Sequence, residues 1–370
     1  MSRVRFLPGW LGGLAALGFC AALPAQSPPT LTGNAVANRL DAAVHGLSVR
    51  AADRRDTGLD ATGQRLARMA ADLRGSLPGR MGEPAATLDG PLQARLLRAD
   101  AAARRTQAYL DVSDGCPGGE AKAMAAALEL GVARLEAGGP GKVAPPVIDA
   151  VETPDRRPLF AVRPGRKPPA FALAGTNLSD PQCAGLSVSA TDADGTPLRA
   201  QPMVTDASPA RIELEWPSGA ALDPGSVVLH VASRRKVFLL GCVAQPEAVA
   251  AIRVLPPLKF SASYTLDARC RIDGRERDVA VAAGTLPDLA AYDAAVSQPV
   301  DTSACADPVS YAVSVKATYA DGSQAAAGPI VQDAGASITA GLPGGLSVNW
   351  NPAMRTLFMR SGANRCKGVD

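Results

Sequence analysis

The fold is decided by the stretch "FALAGTNLSDPQC", which runs from Phe171 to Cys183. Phe171 and Leu173 alternate with alanines, which is the two-residue period of a strand that buries one face. The run then breaks at Gly-Thr-Asn-Leu-Ser and ends on a cysteine. We therefore interpret the stretch as a strand end, a turn and a candidate disulfide anchor at Cys183.

The turn itself contains residues suited to it. Gly175 can adopt a positive φ where the strand ends, and Asn177 can bond its own backbone and fix the turn. Leu178 is expected to fold back into the domain as a plug. The triplet 177–179 also has the form of a glycosylation sequon. The Ala-, Arg- and Gly-rich composition looks bacterial, where this acceptor is usually irrelevant, so we favour the structural turn.

Short β-like runs surround this stretch between residues 143 and 255. In the run 211–216, Ile212 and Leu214 fall on one face and the two glutamates on the other, which is typical of a half-buried strand. Asp194-Gly195, between two runs, is a hairpin signal. About seven short strands over about 110 residues indicate a β-sandwich. The other strand candidates are "VIDAV" (147–151), "GLSVSA" (185–190), "VVLHVA" (227–232) and "KVFLLGC" (236–242).

Two segments of this region carry a family resemblance. "PPVIDAVETP" (145–154) and "FALAGTNLSD" (171–180) together resemble the IPT/TIG family of immunoglobulin-like domains. In that family a Pro-x-Ile-x-x-Val-like strand precedes a strand that ends in Gly-Thr-Asn-Leu. The resemblance implies an immunoglobulin-like sandwich over about residues 145–245, and a role as a spacer or binding module of surface receptors, adhesins and secreted proteins. The family's glycine-rich turn is replaced here by residues 155–169, and the cysteines at 183 and 242 are additions.

A second β-region extends from residue 256 to residue 370. It has alternating runs and two Asp-Gly turns, at 273–274 and 321–322. We predict a second sandwich-like domain, with residues 286–297 as a helical or irregular insert. The strand candidates are "LKFSASYTL" (258–266), "DVAVAA" (278–283), "VSYAVSVKATY" (309–319), "GLSVNW" (345–350) and "TLFM" (356–359).

Residues 26–142 read as helices. Val36, Leu40 and Leu47 recur at helical spacing, and three further apolar stripes follow between glycine- and proline-rich breaks. Short breaks between amphipathic helices indicate antiparallel neighbours, and hence a bundle. Alanine buries little area, so these helices must pack closely or lean on the β-part. The predicted fold class is α+β multidomain: an N-terminal helical bundle followed by two mainly antiparallel, immunoglobulin-like β-sandwich domains.

Residues 1–25 have the pattern of a secretory signal peptide. Arg3 and Arg5 precede an apolar run, and Pro24-Ala25 gives it a small-residue end. A membrane anchor would need about 18 apolar residues, and a lipoprotein site at Cys20 is disfavoured by Phe19 before it. We predict an exported protein that is periplasmic, on the cell surface or extracellular, with no transmembrane segment in the mature chain.

Six cysteines remain after the signal peptide. An even number in an exported chain indicates disulfides, and six cysteines allow 15 pairings. We hypothesise a bond within the first sandwich, Cys183 to Cys242, and a bond from Cys116 to a cysteine of the C-terminal domain. Their spacing is not typical of a zinc site or a Cys-x-x-Cys redox pair. The disulfide candidates are Cys116, Cys183, Cys242, Cys270, Cys305 and Cys366.

The charge balance excludes two classes of partner. Loss of Arg3 and Arg5 lowers the net charge from +3 to +1, which gives no electrostatic footprint for nucleic acid and no polybasic patch for lipid. We expect no nucleic-acid partner, no metal and no cofactor. The four arginine pairs, at 54–55, 104–105, 156–157 and 234–235, are interpreted as solvated surface.

The candidate chemical residues are few. His45 and His230 have neither a metal-spaced partner nor a nucleophile motif, and we interpret both as structural. Glu213 and Glu215 share a strand face but are read as its solvent side, and residues 192–195 are read as a turn rather than a calcium loop.

The two tryptophans of the mature chain are the candidates for a sugar-binding platform. Trp216 and Trp350 each fall on the same strand face as neighbouring aliphatic residues, which favours packing in the core over an exposed sugar-binding platform. Only 4% of the residues are aromatic, which also argues against such a platform.

We therefore expect a non-enzymatic binding or structural protein of the bacterial envelope or extracellular space, whose partner is a protein or a surface polymer. Enzymatic activity stays uncertain at this point. One alternative is a secreted hydrolase with a site at a domain junction, since clefts often form there. The other is a carbohydrate-binding module, which needs an exposed tryptophan.

Overall fold

The structure is a computed structural model of the chain. It describes residues 30–116, 118–138, 145–163, 170–220, 222–237, 240–364 and 366–369. The predicted signal peptide lies outside the described residues.

The N-terminal region is a bundle of α-helices whose starts are fixed by side-chain caps. Asp56 accepts hydrogen bonds from the backbone N–H groups of residues 58 and 59, and Thr32 and Asp89 cap their helices in the same way. No described helix is long and apolar enough to cross a membrane. The helices are α1 (Gly33–Arg54), α2 (Thr57–Ser76), α3 (Gly90–Val112) and α4 (Gly118–Ala137).

The predicted apolar faces of these helices form the core of the bundle. Val36, Leu40 and Leu47 of α1 and Met124 and Leu128 of α4 are buried in it. This core does not consist of helical residues alone, because it also takes in side chains of the β-part and of the C-terminus. The alanine-rich helices therefore do lean on the β-part.

The first sandwich buries a core between two four-stranded sheets, ordered β1-β3-β6-β5 and β2-β10-β7-β4. Every strand pair in it is antiparallel except β2 with β10. When β1 and β2 count as two halves of the first strand, this is the strand order of an immunoglobulin-type sandwich. The strands are β1 (Val147–Glu152), β2 (Ala161–Val162), β3 (Ala170–Thr176), β4 (Ser187–Thr191), β5 (Met203–Ala207), β6 (Arg211–Glu215), β7 (Gly225–Ala232), β8 (Arg234–Val237), β9 (Gly241–Ala244) and β10 (Ala248–Val254).

The structure departs from three local predictions in this sandwich. Gly175 does not have a positive φ; Asn177 does, at φ 57°. The Asp194-Gly195 turn closes a short hairpin in which Thr191 pairs with Pro197, but it does not pair β4 with the next strand, because β4 pairs with β7 in one sheet while β5 pairs with β6 in the other. The segment 236–242 is not one strand, because β8 and β9 pair with each other as a separate hairpin.

The second sandwich has a different strand order. Its sheets are β12-β11-β14-β15 and β13-β18-β17-β16, and their facing side chains share one core. Residues 286–297 are not an insert. They contain the end of β12 and the start of β13, because Leu286 and Leu289 each pair with β11 and bury their side chains, and only the five residues 290–294 between the two strands are irregular, as one of the predicted alternatives had it. The strands are β11 (Phe260–Ile272), β12 (Arg275–Leu289), β13 (Ala295–Pro299), β14 (Pro308–Tyr319), β15 (Gln324–Asp333), β16 (Ile338–Gly341), β17 (Ser347–Asn351) and β18 (Thr356–Arg360).

Buried polar and aromatic contacts join the bundle to the first sandwich. Arg105 is not solvated surface, as was expected for its arginine pair, but is buried where α3 meets the first sandwich. It donates to the carbonyl oxygens of Ile148 (2.6 Å) and Val249 (3.1 Å) in the two sheets. Burial lowers the pKa of Arg105 to about 10, against the opposing effect of Asp149. Tyr109 packs edge-on against Phe160 at 5.8 Å between ring centroids.

The C-terminus returns to this same junction. The backbone N–H groups of Phe160 and Ala161 donate to the carbonyl oxygen of Gly368 (2.9 and 3.2 Å), and Val369 lies parallel to Ala161. A disulfide between Cys116 and Cys366 then closes a span of 250 residues. The helical bundle, the first sandwich and the chain end of the second sandwich are therefore held at one place.

Candidate functional site

A cavity of about 210 Å³ opens where all three parts of the molecule meet. Its floor comes from the start of α4, one wall from the segments that flank β2 and β10, and the other wall from the second sandwich. Its lining includes Glu120, Arg163, Leu255, Pro256, Leu258, Phe260, Tyr292, Tyr319, Asp321 and Ala325.

A buried ion pair fixes the floor of this cavity. The carboxylate of Glu120, which is 3% exposed, pairs through Oε1 with Nη2 of Arg163 at 2.5 Å. Nη1 of Arg163 donates to the carbonyl oxygen of Pro256 at 2.8 Å. The pair thereby links the first turn of α4 to the chain segment that connects the two sandwiches.

Tyr292 of the second sandwich completes the cluster. Its hydroxyl donates to the same Oε1 of Glu120 at 2.5 Å. Burial raises the pKa of Tyr292 above its usual range, and the hydrogen bond to Glu120 and the charge of that carboxylate raise it further. The phenol therefore keeps its proton and serves as a donor, so one carboxylate oxygen holds together residues from all three parts.

Aromatic rings form the wall above this cluster. Phe260 lies 5.9 Å from Tyr292 and 5.9 Å from Tyr319 between ring centroids, edge-to-face in both cases. The hydroxyl of Tyr319 donates to the carbonyl oxygen of Pro343 at 2.7 Å, which fixes the orientation of that ring. The wall is therefore apolar and held in place from both sides.

A carboxylate lies at the rim. Asp321 is in the β14–β15 turn, and its Oδ1 accepts from the backbone N–H (3.0 Å) and the hydroxyl (2.6 Å) of Ser323. The carboxylate lies against the first turn of α4 and leaves no room for a side chain at Gly119. A helix N-terminus favours negative charge, which accounts for this position.

The three polar side chains at the floor of this cavity, Glu120, Arg163 and Tyr292, were not predicted from the sequence as site residues. Glu120 is 43 residues from Arg163 and 172 from Tyr292 in the chain. None of the three belongs to a motif, and a glutamate in the first turn of a helix is an ordinary feature of sequences. The one signal was positional, since Arg163 lies in the segment that replaces the family's glycine-rich turn.

Three disulfides form among the described residues. Cys183 bonds to Cys242, the bond hypothesised within the first sandwich. Cys116, for which a partner somewhere in the C-terminal domain was hypothesised, bonds to Cys366, and Cys270 bonds to Cys305. The bond at Cys183 anchors the exposed β8–β9 hairpin.

The two histidines lie apart, as expected. His45 is exposed on α1. His230 lies on the outer face of its sheet, with Nε2 3.1 Å from the hydroxyl of Thr191 and Nδ1 3.2 Å from a carboxylate oxygen of Glu247. The Thr191 hydroxyl donates to the carbonyl oxygen of Asp192 at 3.0 Å, so its proton is directed away from the imidazole.

The tryptophans and the paired glutamates agree with their structural interpretations. Trp216 is 1% exposed and Trp350 is 0% exposed, so neither offers the platform that the carbohydrate-binding alternative requires. Glu213 and Glu215 lie on the exposed face of β6.

Asp192 accepts from the backbone N–H groups of residues 194 and 196 and closes a turn. No cluster of three or more metal-ligating side chains is found within the part of the chain that the structure describes.

No protein-family model matches this chain. No curated protein matches it either. Among solved structures, the chain is similar to a three-domain immunoglobulin fragment of titin, at 10% identity and a TM-score of 0.21 over 49% of this chain and 63% of that one. It is also similar to a chimeric tandem of titin domains with an added fibronectin peptide, at 13% identity and a TM-score of 0.18 over 49% of this chain and 95% of that one. The chain spans less than two thirds of the first fragment, and at these TM-scores neither likeness bears on fold or function.

Proposed function

We propose that this chain is an exported, non-enzymatic binding protein of the bacterial envelope or extracellular space, and that its ligand site is the junction cavity. In this proposal the first sandwich is an IPT/TIG-like module that acts as scaffold. The partner expected from the sequence, a protein or a surface polymer, stays a prediction.

The observation that supports the proposal is the construction of the cavity. Arg163 and Tyr292 both donate to Oε1 of Glu120 at its floor, and this fixes the cavity before any ligand arrives. Pre-formed concave sites with apolar walls and a few placed polar groups are the usual form of small-molecule sites, and they often lie between domains. A pre-formed site also lowers the ordering cost of binding.

The test is a small-molecule screen of the mature, oxidised protein by native mass spectrometry, with thermal unfolding as a second readout. Hits should bind the natural protein and fail to bind Ala325→Phe, which fills the cavity. Ala326→Phe is the matched control, because Ala326 is next to it on β15 but is exposed and does not line the cavity. Hits that bind both variants equally would place the ligand site elsewhere.

The contacts of His230 favour a second candidate, the secreted hydrolase, at a site outside the domain junction. A His within reach of both a hydroxyl and an acid has the residues of a catalytic triad. Catalysis would require the Thr191 hydroxyl to turn from the carbonyl oxygen of Asp192 to Nε2 of His230. Hydrolysis of a p-nitrophenyl ester by the natural protein, lost in His230→Ala and kept in His45→Ala, would support it. Equal rates in both variants would exclude this site as the source of activity.

A further inference from the structure

We infer that the junction cavity takes a small organic cation, in which an ammonium group is attached to an aromatic or apolar body. This inference rests on the proposed function and names the ligand class of the same site. A cavity of 150 Å³ holds benzene, so a space of about 210 Å³ accommodates on the order of ten non-hydrogen atoms.

The charges that line the cavity leave a negative excess. Glu120 and Arg163 neutralise each other at 2.5 Å. Asp321 has no lysine, arginine or histidine within ion-pair distance in the described ranges of the chain. The N-terminus of α4 offsets about half a charge, which leaves the rim negative and favours a cation.

The wall matches the rest of such a ligand. Aromatic rings attract a cation through the negative potential of their faces, within about 6 Å of the ring centroid. Phe260, Tyr292 and Tyr319 line the same cavity as Asp321, and Leu255 and Leu258 supply aliphatic surface. A cation with an apolar body therefore finds favourable contacts at both of its ends.

Other ligand classes fit these groups less well. An anion would face Asp321 directly and could reach the helix N-terminus only by displacing that carboxylate. The charge of Arg163 is already engaged, because its guanidinium is bound to Glu120 and to the carbonyl oxygen of Pro256. A neutral ligand of the same size would gain the apolar contacts alone.

Three compounds with similar bodies test the inference by calorimetry at low salt. They are phenethylammonium, phenethyl alcohol and hydrocinnamate, which carry a positive, a neutral and a negative group. We expect phenethylammonium to bind about tenfold more tightly than the alcohol, since an exposed ion pair and a cation–π contact contribute up to about fivefold each. We expect hydrocinnamate to bind most weakly, and the preference for the ammonium to shrink as salt is added.

Two variants test whether the Asp321 carboxylate causes the preference for the ammonium over the alcohol. Asp321→Asn should reduce the preference for the ammonium over the alcohol to about threefold or less. Asp333→Asn, at the far end of β15 and exposed, should leave it unchanged. Circular dichroism and the thermal midpoint confirm that both variants are folded.

The possible results separately test the ligand class, the role of the rim carboxylate and the cavity as a binding site. If the alcohol or hydrocinnamate binds as tightly as the ammonium and Ala325→Phe abolishes that binding, the ligand class is wrong and the cavity stands as a binding site. If the preference for the ammonium survives in Asp321→Asn, the rim carboxylate is not its cause and the argument from the negative rim is overturned. If none of the three compounds binds and the screen finds no ligand that Ala325→Phe excludes, the proposed function fails as well.

Discussion

At the scale of single residues, Glu120 connects three parts of the molecule, which no residue predicted from the sequence does. Its Oε1 accepts from Arg163 and from Tyr292, so one atom contacts a side chain that follows β2 of the first sandwich and a side chain of the second sandwich. Removing one partner of a buried ion pair leaves an uncompensated charge, which is more costly than never having had the pair. The same residue therefore shapes the cavity and holds the three parts together.

We expect Glu120→Gln to lower the free energy of unfolding by about 3–5 kcal/mol, because the charge of Arg163 is then left partly buried without a counter-ion. Denaturant unfolding monitored by tryptophan fluorescence measures the change. Glu215→Gln, on the exposed face of β6, is the control and should change stability by less than about 0.5 kcal/mol. Equal effects of the two substitutions would contradict the role assigned to Glu120.

Tyr292 predicts a pH dependence of stability. Its pKa is raised in the folded protein, while in the unfolded chain it is about 10. Below that pH its contribution to stability is fully present, and it is lost as the pH rises further, because the unfolded chain releases the proton and the folded protein keeps it. Unfolding free energies between about pH 8 and about pH 11 should therefore fall less steeply in Tyr292→Phe than in the natural protein. Parallel curves would show that Tyr292 is not involved.

At the scale of elements, the strand β3 and its turn organise the first sandwich by close backbone approach. A Cβ on Gly175 would lie 2.0 Å from the carbonyl oxygen of Val147, beside the bulge that β1 makes between Ile148 and Ala150. Asn177 takes the left-handed conformation instead and bonds to Pro145 and Arg235 rather than to its own backbone. Leu178 is fully buried, as the plug prediction required.

Gly175→Ala should therefore destabilise the first sandwich by about 1–3 kcal/mol, since a backbone atom must move to admit the methyl group. Gly225→Ala is the matched control, because Gly225 is also a strand glycine and a Cβ there meets no atom within 4 Å. Thermal unfolding of the two variants side by side measures the difference. A control that loses as much stability as Gly175→Ala would show that steric contact with β1 is not the cause.

The turn after β3 also supports an exposed hairpin. Asp180 accepts from the backbone N–H of Lys236 in β8 at 2.9 Å, and this bond, with one from Gln182, lowers the pKa of the carboxyl. The Cys183–Cys242 disulfide attaches β9 to the same turn. A two-stranded hairpin is marginally stable by itself. The hydrogen bond from Lys236 and the disulfide therefore stabilise this hairpin, although Leu240 at its tip is 73% exposed.

At the scale of the whole molecule, the C-terminal segment 366–369 acts as a strap across the junction. Gly368 lies so close to Met124 and Val112 that a Cβ would clash with both side chains. The Cys116–Cys366 disulfide fixes the strap to the loop just before α4, next to the cavity floor. The position of α4, and with it the position of Glu120, therefore depends on the last residues of the chain.

Removing this bond in the double variant Cys116→Ser/Cys366→Ser should cost about 2–5 kcal/mol, as is typical of a native disulfide. Hydrogen exchange read by mass spectrometry should become faster in α4 and in residues 366–369 and stay unchanged in β11 and β14. The control, Cys183→Ser/Cys242→Ser, should change exchange only around β8 and β9. Unchanged protection of α4 in the first variant would contradict the strap.

The sequence by itself determined the helical and β-rich regions and the burial of both tryptophans. It indicated an immunoglobulin-like first sandwich and identified six disulfide candidates, but their pairing stayed a hypothesis among 15 possibilities. These depend on local periodicity, turn chemistry and cysteine parity, which are properties of neighbouring residues. Only the tertiary structure decided why residue 175 must lack a side chain, how the hairpin after β7 pairs, which of the residues 286–297 belong to strands and where the junction cavity lies. Those depend on which backbones approach each other and on contacts between residues up to 172 positions apart, such as Glu120 and Tyr292, and no local pattern encodes such distances.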